Sequence, residues 1–178
     1  MESVDGEDEL ERFERELLPL MDDAYTLARH LTRDPHDAQD MVQEAYLRAL
    51  RYFATYLGGD ARAWFLTIVR HCCFTLHRRR QSAAELDLDA VPGEVEAPPA
   101  YAADDRTLAL DRRATIDRAL ATLPPVFREA LVLRDVQGLS YREIARIAGV
   151  PIGTVMSRLA RARKRAQEAL GWASREAS

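Results

Sequence analysis

Two stretches of the chain concentrate cationic side chains, and their chemistry is that of phosphate binding. Five arginines and no acidic residue occur between residues 61 and 84. A second stretch, residues 158–165, has five cationic residues in eight positions. Because Lys and Arg neutralise backbone phosphates, each stretch predicts a nucleic-acid surface. A solvated helix end is the simpler interpretation of either stretch taken alone.

The overall charge by itself argues against nucleic-acid binding, since the 178-residue chain carries a formal net charge of −4. The distribution of the charge reverses that interpretation. Seven acidic residues and no Lys or Arg fall between residues 81 and 105, which follow the first basic stretch and precede the second. Segregated charge of this kind predicts two basic surfaces joined by an acidic linker.

A third group of side chains suits a protein partner. Asp37, Asp40 and Glu44 are spaced by three and four positions, so a helix would place them on one face. An acidic face with Gln43 beside it favours a basic protein and excludes DNA. A solvated helix face is the alternative.

Aromatic residues near the first basic stretch could stack on bases. Tyr52, Phe53 and Tyr56 precede Gly58 and lie close in sequence to the arginines. Aromatic rings beside a basic surface are typical of single-strand binding. Packing in the core is the alternative, and we expect it for Phe53 and Trp64.

Helices are expected to position all of these residues. Apolar residues recur every three or four positions in three stretches of the first half, residues 9–31, 34–53 and 60–80. Four further helices are predicted in the second half, at residues 105–122, 124–136, 140–148 and 152–172. The sequence therefore predicts an all-α fold with two small helical domains, residues 9–80 and 108–173, joined by a flexible acidic linker, residues 81–107.

The last two predicted helices have the sharpest local signal. Ser140 and Glu143 form a capping box, and Gly149 stands where a left-handed residue must end the helix. A short helix, a tight turn and a second helix predict a helix-turn-helix, whose second helix enters the major groove. In that second helix, one face is apolar and another carries Ser157, Arg161 and Lys164, with Met156 beside them. A helical hairpin with a charged outer face is the alternative.

Two motif blocks in this order resemble the extracytoplasmic-function sigma factors of bacterial RNA polymerase. Residues 123–129, 139–145 and 149–159 are similar to region four of that family. Residues 37–44 and 62–65 are similar to its region two. The resemblance implies a subunit that binds core RNA polymerase and directs promoter-specific transcription initiation, with promoter DNA and an anti-sigma factor as further partners.

The resemblance also assigns residues to three surfaces. Contacts with core polymerase are implied for Asp37, Asp40, Gln43 and Glu44. Contacts with the minus-ten element are implied for Tyr52, Tyr56, Arg62, Arg70, His71, Arg78 and Arg79. Contacts with the minus-thirty-five element are implied for Arg142, Thr154, Met156, Ser157, Arg158, Arg161, Lys164 and Arg165. The family implies no catalytic residue, no cofactor and no metal.

The chain departs from the family pattern at three positions. Gln39 replaces an acid that the family usually has in the polymerase-binding motif. Met156 stands where the family often has Lys or Arg, and His71 where it often has Asn. The promoter sequence that this chain would recognise should therefore not be inferred from the promoters of its relatives.

Other classes of function remain as alternatives. A free-standing helix-turn-helix regulator would explain the second half, but it would assign no function to the acidic face of Asp37, Asp40 and Glu44. A metal or redox sensor could use the neighbouring thiols and imidazoles, His71, Cys72, Cys73 and His77, although the usual paired-ligand spacing is missing. No nucleophile-elbow, phosphate-loop or zinc-protease pattern predicts an enzyme. The acidic N-terminal residues and the lack of a long apolar run predict a cytoplasmic protein without membrane insertion.

Overall fold

A computed structural model of the chain describes residues 2–86 and 107–176, and within those ranges all regular structure is helical. The first half has four α-helices: α1 (Glu2–Leu17), α2 (Met21–Thr32), α3 (Pro35–Tyr52) and α4 (Ala61–Leu86). The second half has four more: α5 (Thr107–Ala121), α6 (Pro125–Leu131), α7 (Tyr141–Ala148) and α8 (Ile152–Glu176). The all-α prediction is confirmed.

The first helical stretch is interrupted, which the periodicity did not predict. Residues 9–31 were expected to form one helix, but a short 3₁₀ turn, Leu18–Leu20, separates α1 from α2. Pro19 explains the break, because it has no backbone N–H and its ring clashes with the carbonyl one turn earlier.

The core of the first half lies between α2, α3 and α4, with α1 packed along one side. Leu17, Leu27, Phe53 and Phe65 are essentially inaccessible to solvent. Tyr46 joins this core and donates its hydroxyl proton to the carbonyl of Leu17 at 2.9 Å. The three helices thus form one hydrophobic unit that holds the outer face of α3 in place.

Local signals fix where α3 and α4 begin. The carboxylate of Asp34 accepts bonds from the backbone N–H groups of His36 and Asp37, and that of Asp60 accepts one from Ala63. These are N-caps, and both helices start where the sequence predicts.

The end of α4 differs from the prediction. The helix continues through the arginines to Leu86, six residues beyond residue 80, where the linker was expected to begin. No Gly or Pro occurs in residues 81–86, so nothing local stops the helix. The remainder of the predicted acidic linker, residues 87–106, lies outside the described residues.

The second half is built around the predicted helix-turn-helix. Ser140 and Glu143 exchange both hydrogen bonds of a capping box. Gly149 has a φ of 65°, the left-handed conformation that ends α7 and aims the chain into α8. Ile144 and Ile147 of α7 are buried, as are three residues spaced along α8, Val155, Leu159 and Ala162. The predicted helix-turn-helix geometry is confirmed.

The two halves also contact each other, which a flexible linker does not predict. Helix α4 lies against α7, and α2 lies against α5 and α6. None of the helices in the described residues is long and apolar enough to cross a bilayer.

Candidate docking and nucleic-acid surfaces

The outer face of α3 combines acidic and apolar side chains. Asp40 and Gln43 are exposed, and Glu44 is partly exposed with its carboxylate held by Arg48 at 2.6 Å. Further along the same face, Leu47 is 65% exposed and Leu50 is 49% exposed. Both leucines lie off the face that the buried residues of α3, Ala38, Val42, Ala45 and Ala49, form. We call the exposed set of Asp40, Gln43, Glu44, Leu47 and Leu50 the α3 face.

Asp37 occupies a different environment from the other acids. It forms a bidentate ion pair with Arg80, with 2.8 Å between Nη2 and Oδ1, and its side chain is only 16% exposed. Arg80 lies near the end of α4, in the part of that helix beyond the core, and its guanidinium reaches back to α3. Asp37 therefore ties α3 to α4, and its predicted contact with a partner competes with this pair.

Four of the residues predicted to bind the minus-ten element are accessible. His71, Arg78 and Arg79 are exposed along α4, and Tyr52 is 51% exposed at the end of α3. Burial of the ring and the neighbouring Arg70 and Arg48 lower the pKa of His71. The imidazole is therefore neutral near pH 7 and can donate or accept a hydrogen bond there.

Tyr56 is placed differently from the prediction that it stacks on a base. It is 5% exposed and packs against Phe53 and Trp64, with ring centroids 5.6 and 4.9 Å away. Its hydroxyl donates to the carbonyl of Gly59 at 3.0 Å. Core packing, the alternative interpretation, describes Tyr56 in this structure.

Arg62 and Arg70 are engaged inside the protein. Arg62 pairs with Asp23 at 2.7 Å between Nε and Oδ2, and Arg70 pairs with Glu129 of the second half. Neither guanidinium is free to meet a phosphate in this arrangement. The sequence could not show this, because Glu129 lies 59 positions away from Arg70.

A cleft of about 400 Å³ opens between α4 and the loop that precedes it. Leu57, which is 96% exposed, stands at this cleft, and Trp64 and Thr67 line it. Arg146 of α7 closes one edge of the cleft, with Nη1 3.7 Å from Asp60. No sequence pattern marked this cleft, because its walls come from three separate segments.

The outer face of α8 is open. Met156 is 53% exposed, and Ser157, Arg161, Lys164 and Arg165 are also exposed, as is Arg142 on α7. Thr154 is partly exposed, and no atom lies within 4 Å of the position that a Cβ on Gly153 would take. The predicted DNA-reading residues of α8 are therefore accessible, with Arg158 as the exception, and Arg142 is accessible on α7.

Arg158 lies toward the interior. Its side chain is half-buried, and its Nη1 is enclosed without a hydrogen-bond partner. Burial raises the pKa of Glu129, and the nearby charges of Arg70 and Arg158 offset only part of that rise. This position does not favour the predicted contact of Arg158 with DNA. Arg165, in contrast, lies over the ring of Phe127 at 5.1 Å, which directs its exposed guanidinium along the surface.

The two cysteines are shielded from solvent. Cys72 and Cys73 are free and buried, and burial raises the pKa of Cys73 to about 12. No group of three potential metal ligands is found among the described residues. At pH 8 Cys73 is therefore almost entirely the unreactive thiol.

We therefore expect the native protein to resist alkylation by iodoacetamide at pH 8. Unfolding in urea should make both thiols react within minutes, because the burial that protects Cys72 and Cys73 is lost. Mass spectrometry of the native and unfolded samples measures the difference. Rapid labelling of the native protein would favour the redox-sensor alternative.

Two family descriptions match the chain. Sigma-70 region 2 matches residues 18–83, and Sigma-70 region 4 matches residues 113–165. The first match covers most of α2–α4, and the second contains the helix-turn-helix. Their order along the chain is the order of the two halves.

Individual relatives extend the similarity over most of the chain. The ECF RNA polymerase sigma factor SigE of Mycolicibacterium smegmatis is 36% identical over 157 residues, which is 87% of this chain and 60% of that protein. The chain thus spans less than two thirds of that relative. SigM of Mycobacterium tuberculosis, also an ECF sigma factor, is 36% identical over 83% of this chain and 71% of its own length.

A solved structure resembles both halves together. The sigma factor RpoE of Bartonella quintana, in complex with the anti-sigma factor NepR, matches with a TM-score of 0.72 and 30% identity. The match covers 90% of this chain and 97% of that chain. The likeness therefore includes the arrangement of the two halves as well as each fold.

Proposed function

The chain belongs to the extracytoplasmic-function sigma factors, and from this premise we propose that it binds core RNA polymerase and directs promoter-specific transcription initiation. The observation that carries the proposal is the presence of two unlike surfaces on one chain. The first half has the acidic and apolar α3 face, and the second half has α8, whose exposed side is basic. Such a protein would act as a specificity subunit, without catalysis of its own.

The α3 face is suited to a basic helical partner on core polymerase. Asp40 and Glu44 supply negative charge, while Leu47 and Leu50 supply apolar area that has no partner within the described part of the protein. An interface with an apolar centre and a charged rim is typical of specific protein association. We propose that the clamp of the polymerase covers this face.

The two basic surfaces would read separate promoter elements. Helix α8 would enter the major groove of the minus-thirty-five element, where Met156 offers an apolar contact to a thymine methyl group. Tyr52, His71, Arg78 and Arg79 would approach the melted minus-ten strand. The cleft beside Leu57 is large enough for a base that leaves the stack.

An anti-sigma factor is a further proposed partner. The solved RpoE chain is in complex with one, and its sequence is 30% identical to this chain over both halves. We propose that a protein of the same class controls this sigma factor.

Two arginines of α8 should differ in how they contribute to promoter binding. Arg161→Ala is expected to change or relax sequence preference, because a good base contact is worth about 1–3 kcal/mol. Arg165→Ala should weaken binding to all promoter sequences alike. It should also reduce by about one the slope of the logarithm of the binding constant against the logarithm of the salt concentration. Holoenzyme binding to a set of promoter fragments at several salt concentrations measures both effects.

Arg163→Ala is the matched control, because Asp135 already holds that guanidinium at 2.8 Å. It should leave both sequence preference and salt slope close to those of the parent protein. If Arg161→Ala and Arg165→Ala reduce the binding affinity equally, and by the same factor for every promoter sequence, the division between base and phosphate contacts is contradicted.

Run-off transcription tests the proposed function directly. Purified protein is added to core polymerase with a pool of promoter fragments, and we expect specific transcripts that neither component gives alone. Tight binding of the free protein to duplex DNA, without any transcript in the presence of core polymerase, would favour a free-standing regulator instead.

A further inference from the structure

The loop that carries Leu57 is built from residues that do not fix its shape. Leu57 is 96% exposed, and the two residues after it, Gly58 and Gly59, have φ values of 93° and 102°. Glycine adopts such angles without strain, but it also leaves the backbone free to adopt other conformations. The position of this segment, which we call the 57–59 loop, therefore depends on contacts with other parts of the protein.

One set of contacts comes from the neighbouring residues. Tyr56 is 5% exposed, and its hydroxyl donates to the carbonyl of Gly59 at 3.0 Å. The backbone N–H of Ala61 donates to the same carbonyl, also at 3.0 Å. Burial and the nearby carboxylate of Glu16 raise the pKa of Tyr56, so its hydroxyl remains a donor at neutral pH. The end of the 57–59 loop is thus attached to the ring of Tyr56.

Arg12 of α1 contacts that ring from outside the segment. Its guanidinium carbon lies 5.4 Å from the ring centroid of Tyr56 and 5.4 Å from that of Phe53, and both distances suit a cation–π contact. Nη2 of Arg12 also lies 3.7 Å from the place that a Cβ on Gly58 would take. One guanidinium therefore contacts the ring that anchors the 57–59 loop and lies beside the backbone of the loop itself.

A partner on the same helix holds Arg12 in place. Glu16 accepts a hydrogen bond from Nε of Arg12 at 2.9 Å, one helical turn further along α1. The two side chains are 39% and 26% exposed, and an ion pair so close to water adds little to the stability of a fold. The pair does restrict the conformations of a long side chain, which keeps the guanidinium over the two rings.

Helix α1 does not depend on Arg12 for its attachment to the core. Phe13, the next residue, is 7% exposed, and its ring centroid lies 5.2 Å from that of Phe53 and 6.4 Å from that of Tyr46. These aromatic contacts hold α1 through buried apolar area. Replacing Arg12 is therefore expected to release the 57–59 loop while α1 stays in place.

The 57–59 loop forms one wall of the cleft described above. Tyr56, Leu57 and Gly58 line this cleft together with Trp64. A pocket that takes an unstacked base reads it by the shape of its walls and by contacts with the edge of the base. The position of the loop therefore affects which base the cleft can accept.

We propose that Arg12 is a positioning residue for the 57–59 loop, and that it thereby increases the selectivity for one base of the minus-ten element. Arg12 acts through the ring of Tyr56 and the backbone at Gly58, and it does not itself need to touch DNA. The proposal rests on the proposed function, because it takes the cleft as the site of an unstacked base. Arg12 and Glu16 precede residue 18, where the Sigma-70 region 2 match begins, so that match assigns them no role.

Limited proteolysis of the free full-length protein reports on the loop without polymerase. Chymotrypsin prefers bonds after large apolar residues, and exposed loop tips are the usual sites of cleavage. In Arg12→Ala we expect cleavage after Leu57 to become several-fold faster, while cleavage at other sites keeps its rate. Arg12→Lys should restore much of the resistance, because it keeps a cation near both rings. Glu16→Gln should give a smaller increase, because Arg12 remains but loses its charged partner.

Run-off transcription by the holoenzyme measures the base selectivity. A promoter fragment that gives a transcript is varied one base at a time across both promoter elements. A wrong base in a recognition site typically lowers affinity by roughly 5- to 150-fold. In Arg12→Ala we expect this penalty to fall several-fold at one minus-ten position and to stay the same in the minus-thirty-five element. A merely structural role would instead lower transcription from every fragment by the same factor.

Arg15→Ala is the matched control, because Arg15 is exposed on the same helix and the substitution is the same. It should leave the cleavage rate and the base penalties at the values of the parent protein. Unchanged cleavage after Leu57 in both Arg12→Ala and Glu16→Gln would overturn the proposal, and so would faster cleavage with unchanged base penalties. If the parent protein gives no transcript with core polymerase, the proposed function fails, while the proteolysis still decides whether Arg12 positions the 57–59 loop.

Discussion

Reversing the charge of Asp40 should abolish co-elution of this sigma factor with core RNA polymerase while its helices remain intact. Asp40 is exposed on the same face of α3 as Leu47, and no hydrogen bond or ion pair within the described residues holds it. A lysine there would face the basic partner that we propose for the α3 face. Like charges opposed at an interface cost several kcal/mol, so we expect binding to weaken more than a hundredfold in Asp40→Lys.

Size-exclusion chromatography with core polymerase measures this loss, and circular dichroism checks the fold. Glu168→Lys is the matched control, because it makes the same charge change at an exposed position of α8 in the other half. Leu47→Asp should act like Asp40→Lys, since it removes the apolar part of the same face. If Asp40→Lys and Leu47→Asp both co-elute normally, the α3 face is not the docking site.

Replacing Arg128 with methionine should destabilise the protein by about 3–5 kcal/mol, a typical cost for breaking a buried polar network. Arg128 is 4% exposed, and its guanidinium donates to four backbone carbonyl groups, those of His30, Leu120, Ala121 and Leu123. Three of these carbonyls belong to the end of α5 and the turn after it. Methionine fills a similar volume but donates no hydrogen bond, so the carbonyl groups would be left unpaired.

Thermal unfolding followed by circular dichroism should show the midpoint of Arg128→Met falling by roughly 10 °C. Burial lowers the pKa of Arg128 to about 10, which still leaves it charged at neutral pH. Arg118→Met on α5 is the control, because Arg118 is exposed and bonds only within its own helix, so its midpoint should hardly move. A small change in Arg128→Met would mean that water replaces the guanidinium without cost, and the turn after α5 would then need another explanation.

Much of the fold follows from local sequence signals. The N-caps Asp34 and Asp60 and the capping box of Ser140 and Glu143 act within four residues of themselves, so the chain alone shows where those helices begin. Gly149 acts equally locally, because a left-handed residue is required to turn α7 into α8. Helical spacing is equally local, and it separates the buried residues of α8, Val155, Leu159 and Ala162, from the exposed ones.

Helical periodicity was less reliable for deciding which side of a helix is covered. Leu47 and Leu50 are apolar residues of the predicted helix, but they lie off its buried face and both are exposed. Periodicity shows that residues share a face, and the number of neighbouring helices decides how wide the covered face is. For α3 the covered part is narrow, and that leaves room for a docking face.

The sequence by itself determined the helices, the helix-turn-helix, the two basic stretches and the family. Tertiary structure alone decided which charges are free: Asp37 is paired with Arg80, Arg62 with Asp23, and Arg70 with Glu129. The physical reason is that an ion pair depends on distance in space, and these partners lie 39 to 59 residues apart along the chain. A run of arginines therefore predicts a basic surface, but only the packing of the helices shows that three of them, Arg62, Arg70 and Arg80, are already paired with carboxylates.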